Sequence, residues 1–258
     1  MEEKELVYCI PCKKTCYHEN QWAKHLSSDQ HRDTLLEIKR QKDLSRFVSD
    51  EAKSGQHFMV LDLEGNIVYV YPKTPTEDKM MILLEISYLI FTYNSTTQSF
   101  EVVRTYNTLV QAGDKRKDYD PSLLHLLNKT MAHKHGISFT LCEEKGVPVQ
   151  QAWSTFQEDI NKYGCKRILA KGAGMEKMFV EGCQFQKNFT ADKLFESLDY
   201  FVLDLEHLFK VEKISTEELT SYPNCGNHLV DVVTKELLHC SLAEVHCYYY
   251  QLIKHLKN

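Results

Sequence analysis

The sequence predicts an α/β protein, in which a mixed β-sheet is flanked by helices and preceded by a small module folded around a metal ion. Three observations support this fold class. Paired cysteines and paired histidines lie near the start of the chain. Three apolar, strand-like segments then follow one another between residues 58 and 110. Beyond them, helical periodicity alternates with short apolar runs, which is the order expected for a mixed sheet covered by helices.

Length and composition restrict the classes of function. The 258 residues suffice for one large core and an accessory module, since single domains usually hold about 100–200 residues. A net charge of −5 argues against a protein that coats nucleic acid through bulk positive charge, so any such contact is confined to a local patch. With no basic and apolar leader and no apolar run of about 20 residues, we expect an intracellular protein, nuclear or cytoplasmic, without membrane contact. Its nine cysteines then favour metal ligation or packing over disulfides.

The first motif has the spacing of a two-Cys, two-His zinc site. Cys9 and Cys12 are separated by two residues, and His25 and His31 follow with five residues between them. A segment of about 25 residues cannot build its own core, so zinc would supply most of its folding energy. With Tyr8 ahead of the first cysteine, the segment resembles matrin-type or spliceosomal-type fingers. That resemblance implies contact with double-stranded RNA, RNA–protein assemblies or protein.

A basic, helical segment follows the finger. Helical spacing of apolar residues continues from Asp33 to about Gln56. Five basic residues lie within it or beside it: Arg32, Lys39, Arg40, Lys42 and Arg46. They form either an RNA-contacting extension or an ordinary solvated helix face, and the interspersed acids favour the solvated face. The predicted domains are a finger at 1–34, a helical linker at 35–55 and a large domain at 56–258.

The large domain begins with a predicted β-meander and continues with alternating helices and strands. The predicted strands are 58–63, 81–91, 100–110, 167–170 and 200–203. The predicted helices are 121–133, 149–163, 175–182, 205–210 and 229–256. Strands first and then alternation imply a mixed sheet with helices on its faces.

A pair of acidic residues ends the first strand of this domain. Residues two apart on a strand share a face, so Asp62 and Glu64 should point the same way. Two carboxylates held together repel each other, and a hard cation such as Mg²⁺ or Mn²⁺ relieves that repulsion. The pair predicts a divalent-metal site, although a buried strand also often ends in an acid that only starts a turn.

Segments of the large domain resemble the DEDD (DnaQ-like) exonucleases, whose fold is RNase H-like. Residues 58–64 resemble the first motif of that family, and residues 108–113 and 135–137 resemble its third-strand ending and helix-to-loop junction. Residues 168–176 resemble the second motif, with Glu176 where the family has Asp, and residues 228–231 resemble the third motif. The resemblance implies an α/β, RNase H-like fold, in which a mixed sheet is flanked by helices. In this chain the zinc finger precedes that fold. It also implies a catalytic set of Asp62, Glu64, Glu176 and Asp231.

The chain departs from the exonuclease pattern at several positions. Lys171 and Gly172 replace the His-Asn pair that usually precedes the second acid. The catalytic histidine expected five residues before the last acid would be Gly226, and losing a general base costs about 10²–10⁴-fold in rate. His228 is an alternative base, three residues before Asp231.

A second resemblance, to the maelstrom domain, accounts for these departures. Residues 223–228 and 239–245 resemble that DnaQ-like relative, in which a Glu, Cys, His, Cys set binds zinc. Carried over, the zinc ligands are Glu85, Cys225, His228 and Cys240. Alternatives for the fourth ligand are His239, His246 and Cys247.

Three functional hypotheses follow from these patterns. The first is an RNA-binding, maelstrom-like protein that acts with protein partners in small-RNA or transposon silencing. The second is a 3′-to-5′ exonuclease on RNA or DNA that uses Mg²⁺ or Mn²⁺ at the four acids. The third is a protein-interaction scaffold. In the first two hypotheses the protein contacts nucleic acid, and RNA is favoured.

Overall fold

A computed structural model describes most of the finger, the linker and the central sheet. The described residues are 7–16, 19–69, 79–111, 136–165, 167–172, 174, 176, 202–213, 215–223 and 240–257. The helix predicted at 121–133 lies outside them, as do most of 175–182 and the first part of 229–256. None of the described helices is both long enough and apolar enough to cross a membrane.

The finger is a hairpin followed by two helices. Strands β1 (Val7–Cys9) and β2 (Lys14–Cys16) pair antiparallel, and helices α1 (Glu19–Leu26) and α2 (Asp29–Phe47) follow. The hairpin turn places Lys13 in the left-handed region at φ 52°. The side chain of Ser28 caps α2 by accepting a hydrogen bond from the backbone N–H of His31 at 3.2 Å. The finger thus passes into α2 through a short turn at Ser27 and Ser28.

Five strands form the central sheet in the order β5-β4-β3-β6-β7. They are β3 (His57–Tyr69), β4 (Lys79–Asn94), β5 (Ser99–Leu109), β6 (Arg167–Ala170) and β7 (Val202–Asp204). The first three are consecutive and antiparallel, whereas β3, β6 and β7 run parallel. The predicted mixed sheet with a leading meander is therefore confirmed.

Helices cover both faces of the sheet. They are α3 (Phe139–Lys145), α4 (Val149–Tyr163), α5 (Thr216–Ser221) and α6 (Ser241–Lys257), with a 3₁₀ turn at Leu205–His207. On one face, Met59 and Leu61 of β3 pack in a core with Trp153 of α4. On the other face, Phe58 and Val60 pack in a core with residues of α6. Because side chains alternate along a strand, residues 62 and 64 lie on the same face of β3 as Val60, which is the face that α6 covers.

Candidate metal centres

The four predicted finger ligands come together at the junction of the hairpin and the two helices. Ligand atoms of Cys9, Cys12, His25 and His31 all lie within 4.8 Å of one another. The Sγ atoms of Cys12 and Cys9 are 3.2 and 3.6 Å from Nδ1 of His31. Both ring nitrogens of His25 are buried with no hydrogen-bond partner among the described residues. Two thiols and two imidazoles in this arrangement fit a four-coordinate zinc ion.

The five-residue gap between the histidines is explained by the turn that joins the two helices. His25 lies in the last turn of α1, and His31 lies in the first turn of α2. Ser28, midway between them, donates a hydrogen bond to the carbonyl of His25 at 2.6 Å and accepts one from the N–H of His31. This cap turns the chain so that both imidazoles meet, with their ring centroids 4.8 Å apart.

A second cluster consists of three buried carboxylates from two elements. Asp62 and Glu64 of β3 and Glu244 of α6 place ligand oxygens within 4.8 Å of one another. The residues are 7%, 6% and 6% exposed, respectively. Burial raises the pKa of Asp62 well above its usual value, and the nearby charges of Glu244 and Glu64 raise that pKa further. Three ionised carboxylates at this depth repel one another unless protons or a cation neutralise them.

Glu176 lies beside this cluster and is also buried. Burial raises the pKa of its carboxyl to about 8, and the charges of Asp204, Glu64 and Glu244 add to that increase. Oδ2 of Asp62 and Oε2 of Glu176 are buried with no hydrogen-bond partner in the described part of the chain. Buried carboxylate oxygens without donors are costly, so this donor set of oxygens alone fits a hard divalent cation.

Tyr248 and Lys171 border the acid cluster. The Tyr248 hydroxyl donates a hydrogen bond to Oε2 of Glu244 at 2.7 Å, and burial together with the charges of Asp62 and Glu244 raises the pKa of this phenol. The Lys171 ammonium lies 5.8 Å from the centroid of the Tyr248 ring. In the described part of the chain, a hydroxyl therefore donates to Glu244 and a cationic side chain lies at the border of the cluster.

The proposed second zinc site is described only in part. Glu85 is fully buried, and its Oε1 accepts a hydrogen bond from Nδ2 of Asn107 at 2.6 Å. Asn107 also donates to Oγ of Ser87, and that hydroxyl is hydrogen-bonded to the hydroxyl of Ser241 at 2.5 Å. This network connects Glu85 to the start of α6, where Cys240 is buried. Cys225 and His228 lie outside the described residues, so this zinc site stays a prediction.

Glu244 is the acid that sequence reasoning missed. Asp62 and Glu64 share a face as expected, and Glu176 lies close to them, whereas Asp231 lies outside the described residues. One sequence signal points to Glu244, because His239 precedes it by five residues. That is the separation of catalytic histidine and last acid in the exonuclease pattern. His239, like Asp231, is not among the described residues.

Comparison with known proteins finds that the finger is similar to a described family. Residues 7–32 match the family "Zinc-finger double-stranded RNA-binding". No curated protein sequence matches the chain significantly. The family match is confined to the finger.

Two solved structures are similar to this chain over most of its length. One is described as the nuclease domain of 3'hExo, a DEDDh family member, bound to rAMP. It is 14% identical, with 79% of this chain and 93% of that chain covered and a TM-score of 0.43. Another is described as 3'-end specific recognition of histone mRNA stem-loop by 3'-exonuclease. It is 12% identical, with 78% of this chain and 82% of that chain covered and a TM-score of 0.44.

Proposed function

We propose that this protein is an RNA-binding exonuclease that depends on divalent metal ions and degrades RNA from its 3′ end. The observation that carries the proposal is the buried cluster of Asp62, Glu64 and Glu244, with Glu176 beside it. A structural role does not explain this cluster, because burying mutually repelling carboxylates destabilises the folded state. A role in metal binding does explain it.

The four acids are the groups that would hold the metal ions. Divalent ions bound there would lower the pKa of a water nucleophile and stabilise the oxygen that leaves the phosphodiester. The protein's own part is to hold the carboxylates in place. Two of them are fixed on β3 by the sheet, and Glu244 is oriented by the hydroxyl of Tyr248. In this proposal the last acid of the exonuclease pattern is Glu244 rather than the predicted Asp231.

His239 is the proposed general base. It stands five residues before Glu244, as the catalytic histidine does in the exonucleases that residues 58–64 resemble. This assignment removes the main departure from the exonuclease pattern, which was the glycine at position 226. The 3′-to-5′ direction rests on the same resemblance.

RNA is the proposed substrate because of the finger. Its family is described as double-stranded RNA-binding, and the four ligands lie together as zinc ligation requires. Double-stranded RNA is bound through its shape, its phosphates and its 2′-hydroxyls, so a finger of this kind can hold many sequences.

The test is a degradation assay on 3′-tailed and single-stranded RNA labelled at the 5′ end, with Mg²⁺ or Mn²⁺. We expect a ladder of products that shorten from the 3′ end. Glu244→Gln should abolish this ladder, whereas Asp231→Asn should retain it. Cleavage that survives Glu244→Gln, or no cleavage by the unmodified protein with either ion, would overturn the proposal.

A second candidate is an RNA-binding, maelstrom-like protein without nuclease activity, acting with partners in RNA silencing. The position of Lys171 favours it, because an ammonium near the acids weakens their attraction for a cation. In this case RNA would be bound but not shortened, and Lys171→Gln would not produce cleavage. The maelstrom assignment also requires zinc at Cys225 and His228.

A further inference from the structure

A single uninterrupted helix joins the finger to the large domain. Helix α2 has the zinc ligand His31 in its first turn and the buried Phe47 at its last position. No glycine or proline occurs between His25 and Ser54, so the segment contains no residue that commonly breaks a helix. The 19 residues of α2 span about 28 Å. The finger is thus connected through a rigid element rather than a flexible linker.

The second half of α2 is fixed to the large domain by three kinds of contact. Nε of Arg40 donates a hydrogen bond to the carbonyl of Glu206 at 2.5 Å. The ring of Phe47 meets the ring of Phe58 at 5.3 Å in an edge-to-face arrangement. Just beyond α2, Glu51 accepts two hydrogen bonds from Arg167, at 2.7 and 2.9 Å. These contacts determine which face of α2 points outward.

The outward face of α2 carries a stripe of basic residues. At 100° per residue, four exposed side chains fall within an arc of about 80°. They are Arg32, Lys39, Lys42 and Arg46, and we call them the basic stripe. Most acids of α2 fall elsewhere, with Asp29, Asp33 and Glu37 about 100° or more from the middle of the stripe and Asp43 at its border. The charges that looked interspersed in the sequence are therefore largely separated in space.

The basic stripe is available to a ligand. Arg32 and Arg46 form ion pairs with exposed acids of the same helical segment, Asp29 and Asp50. Exposed pairs of this kind are weak and are screened by salt. Among the described residues, Lys39 and Lys42 have no ion-pair partner. In a chain with a net charge of −5, this local concentration of positive charge is an exception.

We propose that the basic stripe extends the RNA contact of the finger along α2, so that one duplex backbone is held from the finger to the large domain. Phosphates spaced along a duplex match a row of cations on a rigid helix, and neutralising them releases counterions. The acids of the metal centre are at most 7% exposed, which favours a single strand over a duplex at that site. The substrate class is therefore RNA with a duplex next to an unpaired 3′ tail. This substrate class rests on the proposed function, whereas the RNA-binding surface does not.

The surface is tested by duplex RNA binding as a function of salt concentration. The variant Lys39→Gln/Lys42→Gln removes two charges from the stripe, and glutamine keeps helix propensity. The matched control is Lys145→Gln/Lys162→Gln, which removes two exposed charges on α3 and α4. Helix α4 packs in the core on the opposite face of the sheet from Phe47. Both are made with Glu244→Gln to protect the RNA. We expect the stripe variant to reduce the slope of log affinity against log salt by about two, with no change in the control. Equal slopes in the two variants would overturn the proposal.

The substrate class is tested with the unmodified protein and with the stripe variant, both without Glu244→Gln. The two RNAs are a duplex with a 3′ tail and the same tail as a free single strand. The stripe variant should slow removal of the tail beside the duplex about 10-fold and leave the free strand unaffected. Equal slowing of both RNAs would overturn the substrate class. If the unmodified protein cleaves neither RNA, the proposed function and the substrate class fail together, and the binding comparison still decides the surface.

Discussion

The hydroxyl of Tyr248 donates a hydrogen bond to Oε2 of Glu244, one helical turn away on α6, at 2.7 Å. Both residues are buried, and Glu244 is within 4.8 Å of Asp62 and Glu64 of the sheet. The bond therefore orients the one carboxylate of the cluster that comes from a helix. Mutation of a residue that orients a metal ligand in this way commonly weakens metal binding 10–100-fold.

Tyr248→Phe should weaken metal binding while the fold is retained. The ring still packs in the same core, but Glu244 loses the hydrogen bond from this hydroxyl and is oriented less firmly. We expect about 10-fold weaker Mn²⁺ binding by titration calorimetry, with destabilisation of about 1 kcal/mol.

The matched control is Tyr249→Phe, which removes a hydroxyl that donates to the carbonyl of Phe100 at 3.4 Å, outside the acid cluster. Mn²⁺ affinity should not change in this variant. The orienting role of Tyr248 would be refuted by equal affinities in the two variants.

Neutralising one acid of the cluster should stabilise the protein when no Mg²⁺ or Mn²⁺ is present. Asp62→Asn replaces a carboxyl whose ionisation is opposed by burial and by neighbouring like charges, so the melting temperature at pH 8 should rise, by about 2–4 °C for each kcal/mol of relieved repulsion. The same variant should lose the thermal stabilisation by Mn²⁺. Glu217→Gln, at an exposed position of α5, serves as control and should show neither change. A lower melting temperature for Asp62→Asn would contradict the interpretation of the cluster as strained without metal.

The free energy of unfolding of the metal-free protein should decrease as pH rises. The pKa of Glu176 is raised to about 8 in the folded protein, so the folded state binds a proton that the unfolded state releases. The contribution from this group is fully present below the unfolded pKa of about 4.5 and is lost as pH rises through about 8. Urea unfolding at pH 6, 7, 8 and 9 measures this dependence.

Other groups titrate in the same range, so the comparison variant is Glu176→Gln. Its stability should depend less steeply on pH between 6 and 9 than that of the unmodified protein. Parallel curves for the two proteins would show that Glu176 keeps an ordinary pKa.

Zinc analysis should distinguish the two predicted zinc sites. Cys12→Ala removes a ligand of the finger, where four ligand atoms lie within 4.8 Å of one another, and should lower the zinc content by one ion per chain. The large domain has its own core, so its thermal transition should persist. Cys225→Ala should remove a second ion if the Glu-Cys-His-Cys site exists. An unchanged zinc content in Cys225→Ala would remove that site and the maelstrom assignment.

Local patterns were sufficient to predict the sheet and the finger. The side chains of a strand alternate, so the spacing of Asp62 and Glu64 was enough to place them on one face. The spacing of Cys9, Cys12, His25 and His31 was enough to indicate a finger, and all four ligands lie together. In each case the relevant residues are close in sequence or follow a spacing that metal geometry imposes.

Glu244 could not be found in the same way. It is 180 residues from Glu64 in the chain, and many exposed helices carry an acid at a similar position. Only the packing of α6 on the sheet, through Val245, Tyr249 and Leu252, turns this acid toward Asp62. The motif at 228–231 predicted Asp231, which lies outside the described residues, and a short sequence motif contains no information about which helix face is buried.

The amino-acid sequence by itself determined the order of the five described strands, the finger ligands and the acidic pair on β3, because these depend on local periodicity and on ligand spacing. It did not predict the short helices α3 and α5. The tertiary structure decided that a helical glutamate joins the acid cluster and that four basic side chains of α2 lie on one exposed face, apart from most acids of the helix. The physical reason is that the face of a helix that packs against the rest of the protein decides which of its side chains reach a site and which face solvent. That packing depends on contacts between residues far apart in the chain.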